Sequence, residues 1–499
     1  MVREAGILMA VSSLPSRYGI GCFDSAAYEF ADQLAEAGQS LWQILPIGPT
    51  SYGDSPYQAF STFAGNPYFI SVDELVEAGW VTREECEELN AETDPRHVDY
   101  GALYQKRRSL LRKAYENCDI LESEAFEEFC KEQAEWLDDY ALFMALKDAH
   151  GGAAWSEWEP ELALREPDAV RKAKEELAVD VRYYQFLQYL FFTQFKKLLT
   201  YAHEKGVRVI GDIPIYVSAD SADAWSEPEL FQFDENRKQT AVSGCPPDAF
   251  APGGQLWGNP LYNWPYHKKT GYEWWIRRIR HCYSTCDILR IDHFRGFDEY
   301  FSIPAGDETA ANGRWEKGPG IELFRAIEDA LGKREIIAED LGYVTDSVRQ
   351  LVKDTGFGGI KVFEFAFDSR DTGAARDYLP HNYPENCAAY TGTHDNATLT
   401  GWLGEITEEE RQNVRDYICS DLPDEKLYWP MISCVLRSVA RIAVVPMQDY
   451  LGFGNEARMN TPSTSGTNWQ WRMLPGEFTP ELMQKICRLT ELYGRRVDA

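Results

Sequence analysis

The chain has 499 residues, of which 44% are hydrophobic, with 25 Pro and 37 Gly, so it can bury a large core and is best described as one elaborated domain spanning residues 1–499. Its formal net charge of -30 at pH 7 disfavours nucleic acid and anionic membranes as partners. No apolar stretch approaches the roughly 20 residues of a membrane helix, and the 11 Cys show neither a disulfide framework nor a Cys-x-x-Cys metal pattern.

The chain enters an apolar run within its first residues, which leaves no room for a signal peptide. We therefore expect a cytoplasmic location. Eight short apolar runs then predict strands, with a helix over 25–37 that Asp24 caps and Gly38 ends. The predicted strands cover residues 7–11, 41–45, 207–213, 288–292, 335–339, 359–366, 388–393 and 440–447.

Strands of this kind, apolar on both faces and separated by helical stretches, are typical of a parallel sheet covered by helices. We predict an α/β fold, a (β/α)8 TIM barrel, with a doubly wound open sheet as the alternative.

Two connections are much longer than a standard crossover. Residues 47–206, between strands two and three, hold a Glu-, Lys- and Leu-rich middle that predicts a helical subdomain at the C-terminal face of the barrel. Residues 218–279, between strands three and four, contain aromatic, loop-like stretches at 244–250 and 255–260, which predict a loop-rich wall beside a cleft.

Three of the eight runs end in a carboxylate, namely Asp292, Glu339 and Asp395. In a parallel barrel the carboxyl ends of the strands form the active-site face, so these acids should converge on one cleft. Several carboxylates in one cleft are typical of glycoside chemistry.

Neighbouring residues predict different roles for the three acids. Arg290 has the same parity as Asp292, so its guanidinium should keep that carboxylate ionised, as a nucleophile requires. Glu339 follows an apolar run, and desolvation should raise its pKa, which suits a general acid. Asp395 lies between His394 and Asn396 and could accept hydrogen bonds from sugar hydroxyls as the transition state develops.

Around these residues the chain resembles the amylomaltases, the bacterial 4-alpha-glucanotransferases of glycoside hydrolase family 77 in the alpha-amylase clan, over nearly its whole length. The matching motifs, written in one-letter code, are SSLPS at 12–16, QILP at 43–46, SPY at 55–57, GDIP at 211–214, PPD at 246–248, RIDH at 290–293, AEDLG at 338–342, THD at 393–395 and NWQWR at 468–472.

The resemblance implies a retaining double displacement on alpha-1,4-glucans and maltooligosaccharides, by a monomer or weak homo-oligomer. Asp292 would be the nucleophile, Glu339 the acid/base and Asp395 the residue that holds the distorted ring. The resemblance further implies that substrate is bound by Ser55, Tyr57, Asp212, Asp248, Trp257, Arg290 and His394.

Other functions remain open at this point. The same acids would serve an alpha-1,4-glucan hydrolase, and aromatic loops would also suit a non-catalytic glucan-binding protein. A barrel metal hydrolase usually shows a His-x-His cluster, which none of the eight His forms, so we expect no metal. The sequence carries no Rossmann or phosphate-loop glycine pattern, and Lys361 alone does not indicate a pyridoxal group, so we expect no cofactor.

Overall fold

The strands of the protein are short and widely separated along the chain. The computed structural model describes residues 2–51, 53–89, 94–247, 253–342, 344–370, 375–464 and 466–497. The strands within these ranges are β1 (Glu4–Leu8), β2 (Leu41–Gln43), β3 (Arg208–Ile213), β4 (Ala241–Cys245), β5 (Gln255–Pro260), β6 (Ile288–Ile291), β7 (Glu299–Pro304), β8 (Arg314–Lys317), β9 (Ile336–Ala338), β10 (Gly358–Val362), β11 (Cys387–Tyr390) and β12 (Ile442–Pro446).

Eight of the strands close into a parallel barrel. Their order around the barrel is β1, β2, β3, β6, β9, β10, β11 and β12, and β12 pairs with β1 to complete the ring. Each predicted strand overlaps one of these eight. The (β/α)8 fold class is therefore confirmed, and the open doubly wound sheet is excluded because a closed ring has no edge strands.

The helices pack around this barrel and fill its long connections. In the described residues they are α1 (Ser25–Glu36), α2 (Val72–Glu77), α3 (Arg83–Glu87), α4 (Tyr100–Asn117), α5 (Glu124–Glu132), α6 (Ala134–Ala149), α7 (Pro160–Ala163), α8 (Pro167–Glu176), α9 (Ala178–Glu204), α10 (Ala222–Ser226), α11 (Trp264–Lys269), α12 (Glu273–Cys282), α13 (Ile321–Leu331), α14 (Asp346–Thr355), α15 (Leu399–Glu405), α16 (Glu408–Ile418), α17 (Tyr428–Leu436), α18 (Met447–Leu451) and α19 (Pro480–Leu492). None of these described helices combines the length and the apolar character needed to cross a bilayer.

Helix α1 forms as the sequence predicts. The Asp24 carboxylate accepts a hydrogen bond from the Ala26 N–H at 3.0 Å, which satisfies one of the free donors of the first turn. Gly38 adopts a φ of +69° directly after the helix, a conformation that costs glycine little. The chain is thereby turned back into β2.

The barrel interior is an apolar cluster below a polar layer. Its buried side chains are Leu8, Leu41, Ile210, Ile288, Ile337, Ile360, Val362, Ala388, Tyr390, Ile442 and Val444. Because strand side chains alternate, the next inward positions after Ile210, Ile288 and Ile337 are Asp212, Arg290 and Glu339. The same parity that fills the core thus places polar residues at the mouth of the barrel.

Several predicted strands end earlier than expected; β2 ends at Gln43 rather than Leu45, and β11 at Tyr390 rather than Thr393. β1 ends at Leu8 rather than Val11, and Val11–Ser13 forms a 3-10 turn. β10 ends at Val362, and Phe363–Phe367 is also 3-10 helical. Both turns are largely buried and begin with an apolar residue, Val11 or Phe363, so the apolar run does not show where the strand ends.

The connection from β2 to β3 contains helices α2 to α9. Helix α9 has 27 residues and delivers the chain to β3. Phe195 on this helix stacks on Phe23 at a ring separation of 4.8 Å, and Phe191 meets the same ring edge-on at 5.2 Å. These contacts fix α9 against the segment that links β1 to α1.

A second, antiparallel sheet of order β5-β4-β7-β8 lies beside the barrel. The prediction of a loop at 255–260 is wrong, because these residues form β5. The stretch contains Gly258, Asn259 and Pro260, which are poor strand formers, and it is an edge strand paired only with β4. The sheet pairs β4, which precedes β6 in the chain, with β7, which follows it. No local sequence pattern therefore predicts the sheet.

Candidate active site

Neighbouring barrel strands deliver the predicted acids to one place. The Asp292 N–H donates to the Ile213 carbonyl at 2.9 Å, and the Glu339 N–H donates to the Ile291 carbonyl at 3.0 Å. The parallel hydrogen bonding between β3, β6 and β9 therefore continues one residue beyond the ends of β6 and β9. This continuation sets Asp292 and Glu339 side by side at the carboxyl ends of adjacent strands.

Arg290 links two carboxylates below the cleft. Its Nη1 lies 2.7 and 2.6 Å from the two oxygens of Asp212, and its Nη2 lies 2.9 Å from Oδ1 of Asp292. The Asp212 side chain is wholly buried and that of Arg290 is 3% exposed, whereas that of Asp292 is 28% exposed. Asp292 is therefore the member of this trio that faces the cleft.

Tyr57 reaches this trio from the long connection after β2. Its hydroxyl donates to Oδ2 of Asp212 at 2.7 Å, and its ring stacks on His394 with centroids 5.1 Å apart. The Ser55 hydroxyl accepts the Tyr57 N–H at 3.3 Å and so orders the turn that presents the ring. Because Asp212 is fully engaged by Arg290 and Tyr57, its geometry favours holding those two side chains over touching a sugar directly.

Glu339 is held by backbone donors. The His293 N–H lies 2.6 Å from Oε2, and the Leu341 N–H lies 3.0 Å from Oε1. Burial, followed by the charge of Asp292, raises the pKa of Glu339 to about 7, although Arg290 and both N–H groups favour its ionised form. A carboxyl group with this pKa can both give and take a proton near neutral pH.

Opposing effects act on the pKa of Asp292, whereas the sequence indicated only the lowering effect of Arg290. Burial raises its pKa to about 6, Arg290 lowers it, and the charges of Asp212 and Asp395 raise it. The predicted contact with Arg290 is present at 2.9 Å. Arg290 offsets only part of the effect of burial, so the net shift of the Asp292 pKa is upward.

Asp395 occupies a different environment from the other two acids. Burial would raise its pKa, but His394, with Nε2 3.4 Å from Oδ2, and the Asn460 amide, 2.6 Å from Oδ1, hold that pKa well below its usual range. Burial opposes the charged form of His394, but the Asp395 charge raises the pKa of that imidazole. Asp395 is thus a fixed negative charge with a 43% exposed side chain.

Trp257 stands at the side of the cleft on β5. Its ring meets the His293 ring edge-to-face at 4.8 Å, and its Nε1 donates to the Gln255 side chain at 3.0 Å. His293 adopts a φ of +48°, which turns its N–H toward Glu339. Asp248, also predicted to bind substrate, lies outside the described residues.

The predicted site did not include three residues of the segment after β12, namely Trp469, Arg458 and Asn460. The Trp469 ring lies 5.8 Å from Tyr57 and 5.9 Å from His394. The Arg458 guanidinium donates to the Asp395 carbonyl at 2.7 Å, close to the Asn460 contact. The available signal was positional, because a segment that follows the last barrel strand returns across the same face.

Comparison with known proteins gives a consistent result. A family model described as 4-alpha-glucanotransferase matches residues 9–477. The 4-alpha-glucanotransferase of Clostridium butyricum is 50% identical over 491 residues, covering 98% of this chain and 100% of that protein. The chloroplastic/amyloplastic enzyme of the same name from Solanum tuberosum is 40% identical over 505 residues, covering 99% and 86%.

A solved structure agrees with these relatives. The amylomaltase from Streptococcus agalactiae in complex with acarbose superposes with a TM-score of 0.95 at 41% identity, covering 99% of this chain and 100% of that one. On the strength of its sequence and its fold, the chain belongs to the 4-alpha-glucanotransferase family, glycoside hydrolase family 77.

Proposed function

We propose that the barrel-mouth cleft carries out 4-alpha-glucanotransfer by a retaining double displacement, with Asp292 as nucleophile, Glu339 as acid/base and Asp395 as transition-state stabiliser. The observation that carries this assignment is the separation of three neighbouring carboxyls into three environments. Asp292 touches a buried guanidinium, Glu339 is held by backbone N–H groups, and Asp395 pairs with His394.

In the first step Asp292 attacks the anomeric carbon while Glu339 protonates the leaving glycosidic oxygen. The bond from the anomeric carbon to the leaving oxygen breaks, and an ester to Asp292 forms. Arg290 binds Oδ1 of Asp292, so we assign the attack to Oδ2. Asp395 offers a fixed negative charge as the ring becomes oxocarbenium-like.

In the second step the 4-hydroxyl of an acceptor sugar loses its proton to Glu339 and displaces Asp292. The charge of Asp292 is one cause of the raised pKa of Glu339. Forming the ester removes that charge, so the pKa of Glu339 falls and the group becomes a base when one is needed. The first step therefore prepares the second.

We propose that substrate sits against Tyr57, His394 and Trp257 and also engages Ser55, Arg290 and Asp248, with Asp212 acting mainly through its partners. By similarity to the Streptococcus agalactiae protein, acarbose should occupy the same cleft. Residues 47–206 and 218–279 would act as two subdomains that wall the cleft and disfavour water in the second step.

We propose that the protein works in the cytoplasm as a monomer or weak homo-oligomer. The cysteines in the described part of the chain form no disulfide with one another, which suits a reducing compartment. The chemistry assigned above uses only side chains of this chain.

Maltotriose distinguishes transfer from its alternatives. We expect glucose and a ladder of longer maltodextrins, with the number of reducing ends nearly constant, because each transfer breaks one glycosidic bond and forms another. Chromatography of the products and a reducing-sugar assay measure both quantities. A steady rise in reducing ends would indicate a hydrolase, and an unchanged sugar profile would indicate a binding protein.

A further inference from the structure

The loop that carries His394 and Asp395 is fixed by two buried carboxyl groups outside the proposed chemistry. This 391–399 loop runs from the end of β11 to the start of α15. Glu364 follows the neighbouring strand β10, and Asp449 follows the neighbouring strand β12. The loop is thus flanked by one acid on each side of its own strand.

Asp449 joins the two ends of the loop. Its Oδ2 accepts the Thr391 hydroxyl at 2.6 Å, and its Oδ1 accepts the Leu399 N–H at 2.8 Å. The residue is 1% exposed. One carboxyl group therefore sets the separation between the first and the last residue of the 391–399 loop.

Glu364 packs against the middle of the loop, beside Gly392 and Asn396. Its N–H donates to the Thr391 carbonyl at 3.4 Å, and the Asn396 Oδ1 accepts both the N–H and the hydroxyl of Thr393 at 2.9 Å. Gly392 leaves space for this carboxyl, because a Cβ there would lie 3.1 Å from its Oε1. The turn from Thr393 to Asn396 thereby rests on Glu364.

Two buried acids are a costly way to fill space. Burial raises the pKa of Asp449 to about 6, and burial followed by the charge of Asp449 raises the pKa of Glu364 well above its usual range. Apolar side chains of similar volume would pack the same region without this cost. What Asp449 supplies instead is directed hydrogen bonding to both ends of the loop, and Glu364 adds a close contact at Gly392.

We propose that Asp449 and Glu364 are positioning residues, which hold the 391–399 loop so that Asp395 and His394 meet the transition state in the correct place. This inference rests on the proposed role of Asp395 as stabiliser. Neither acid is assigned a contact with substrate.

The first test compares Asp449→Ala with Asp24→Ala. Asp24 is a matched control, because it too is a buried carboxylate that accepts one hydroxyl, from Ser16, and one N–H of a first helical turn, from Ala26. With maltotriose we expect Asp449→Ala to lower kcat about 10- to 100-fold and to change KM by less than about twofold, since misplacement by about 1 Å costs about that much. Asp24→Ala should lose thermal stability and keep its kcat.

Less disruptive substitutions distinguish a loss of positioning from unfolding of the protein. Thr391→Val removes one donor to Asp449 and should lower kcat. Thr391→Ser keeps the hydroxyl and should keep the wild-type kcat. Glu364→Gln keeps the size and shape of the side chain beside Gly392 and should stay near wild type, but Glu364→Leu changes that shape and should lower kcat. A folded Thr391→Val protein and a folded Glu364→Leu protein that both retain wild-type kcat would overturn the proposal.

The last test asks whether Asp449 acts through Asp395. In an Asp395→Asn background, adding Asp449→Ala should lower kcat by less than about twofold, because coupled residues are not additive. A full additional loss would mean that Asp449 does not act through Asp395, which would overturn the positioning role. If Asp395→Asn itself kept its turnover, the proposed function of Asp395 would fail, which is a different result from failure of the positioning role.

Discussion

At the scale of single residues, Arg290 is shared between the carboxylates of Asp212 and Asp292. It is 3% exposed and is paired with the wholly buried Asp212 side chain, so neither group can lose its partner without leaving a buried charge. The second contact, to Asp292, stabilises the ionised form of that carboxylate. The structural pair and the proposed nucleophile therefore share one guanidinium.

The proposed role of Asp292 predicts that its substitution prevents the reaction but not the binding of substrate. Asp292→Asn removes the attacking carboxylate but keeps the shape of the side chain, so turnover of maltotriose should fall by about 10³-fold or more. Binding of maltotriose, measured by calorimetry, should remain. Turnover near the wild-type rate would remove Asp292 as nucleophile, and circular dichroism checks that the variant is folded.

Glu339→Gln separates the two steps of the reaction. With α-maltotriosyl fluoride as donor the leaving fluoride needs no proton, so the first step should proceed without an acid. The second step still needs a base, and the covalent maltotriosyl ester on Asp292 should accumulate. Mass spectrometry of the intact protein detects it, and the mass should not change in an Asp292→Asn, Glu339→Gln control.

The acids and their surroundings differ in how far the sequence predicts them. Asp292 and Glu339 could be placed because strand parity and barrel topology carry them to one face, which the geometry supports. Asn460 and Trp469 were missed because their contacts join segments far apart in the chain without any periodic pattern. The raised pKa of Asp292 was missed for a related reason, since it depends on burial and on distant charges.

At the scale of elements, the sequence predicts the strands of the barrel but not those of the second sheet. The barrel strands are continuous apolar runs separated by helices, and this pattern specified all eight. The sequence did not predict the strands of the second sheet, because β4, β5 and β7 contain Gly or Pro and β4 pairs with β7 across β6. The second sheet nevertheless places Trp257 beside the cleft.

Gly244 provides a way to disturb that sheet. A Cβ at this position would lie 2.1 Å from the Gln255 carbonyl oxygen and 2.5 Å from Ile303, so Gly244→Ala must push β4 and β5 apart. We expect Trp257 to shift, the rate of transfer from maltotriose to fall about 3- to 10-fold, and the share of hydrolysis to rise. Reducing ends formed per glucose released report that share.

Gly253→Ala is the control for this change, because among the described residues a Cβ there would meet only a Thr309 methyl group at 4.0 Å. It lies before β5 in the same connection and should keep wild-type rates and product ratio. Equal effects of the two substitutions would mean that the β4–β5 pairing does not shape the cleft.

At the scale of the whole molecule, buried titratable groups form two opposing sets. Burial raises the pKa of Glu339 to about 7 and the pKa of Asp292 and Asp449 to about 6. In an unfolded chain these groups have pKa values near 4. Between these limits the folded state binds more protons, so this set loses stabilising free energy as the pH rises through about 7.

The buried histidines act in the opposite direction. Burial lowers the pKa of His267 and His281 to about 4, below the value near 6.5 of an unfolded chain. The unfolded state therefore binds more protons below about pH 6.5, and this set loses stabilising free energy as the pH falls. The two sets partly cancel between about pH 4 and 6.5.

Above about pH 6.5 these two histidines no longer contribute, whereas Glu339, with a pKa of about 7, still titrates, and the net charge of -30 adds repulsion in the same direction. We expect the Tm measured by calorimetry to fall between about pH 6.5 and pH 8, also in about 0.5 M NaCl, which screens the long-range repulsion but not the buried groups. Combining Asp292→Asn with Glu339→Gln removes two of the responsible carboxyls and should make this fall smaller. A Tm that rises over the same interval, or a fall of unchanged size in the double variant, would show that the buried acids of the cleft do not set the pH dependence of stability. The expected result would mean that the raised pKa values assigned to catalysis destabilise the folded protein at alkaline pH.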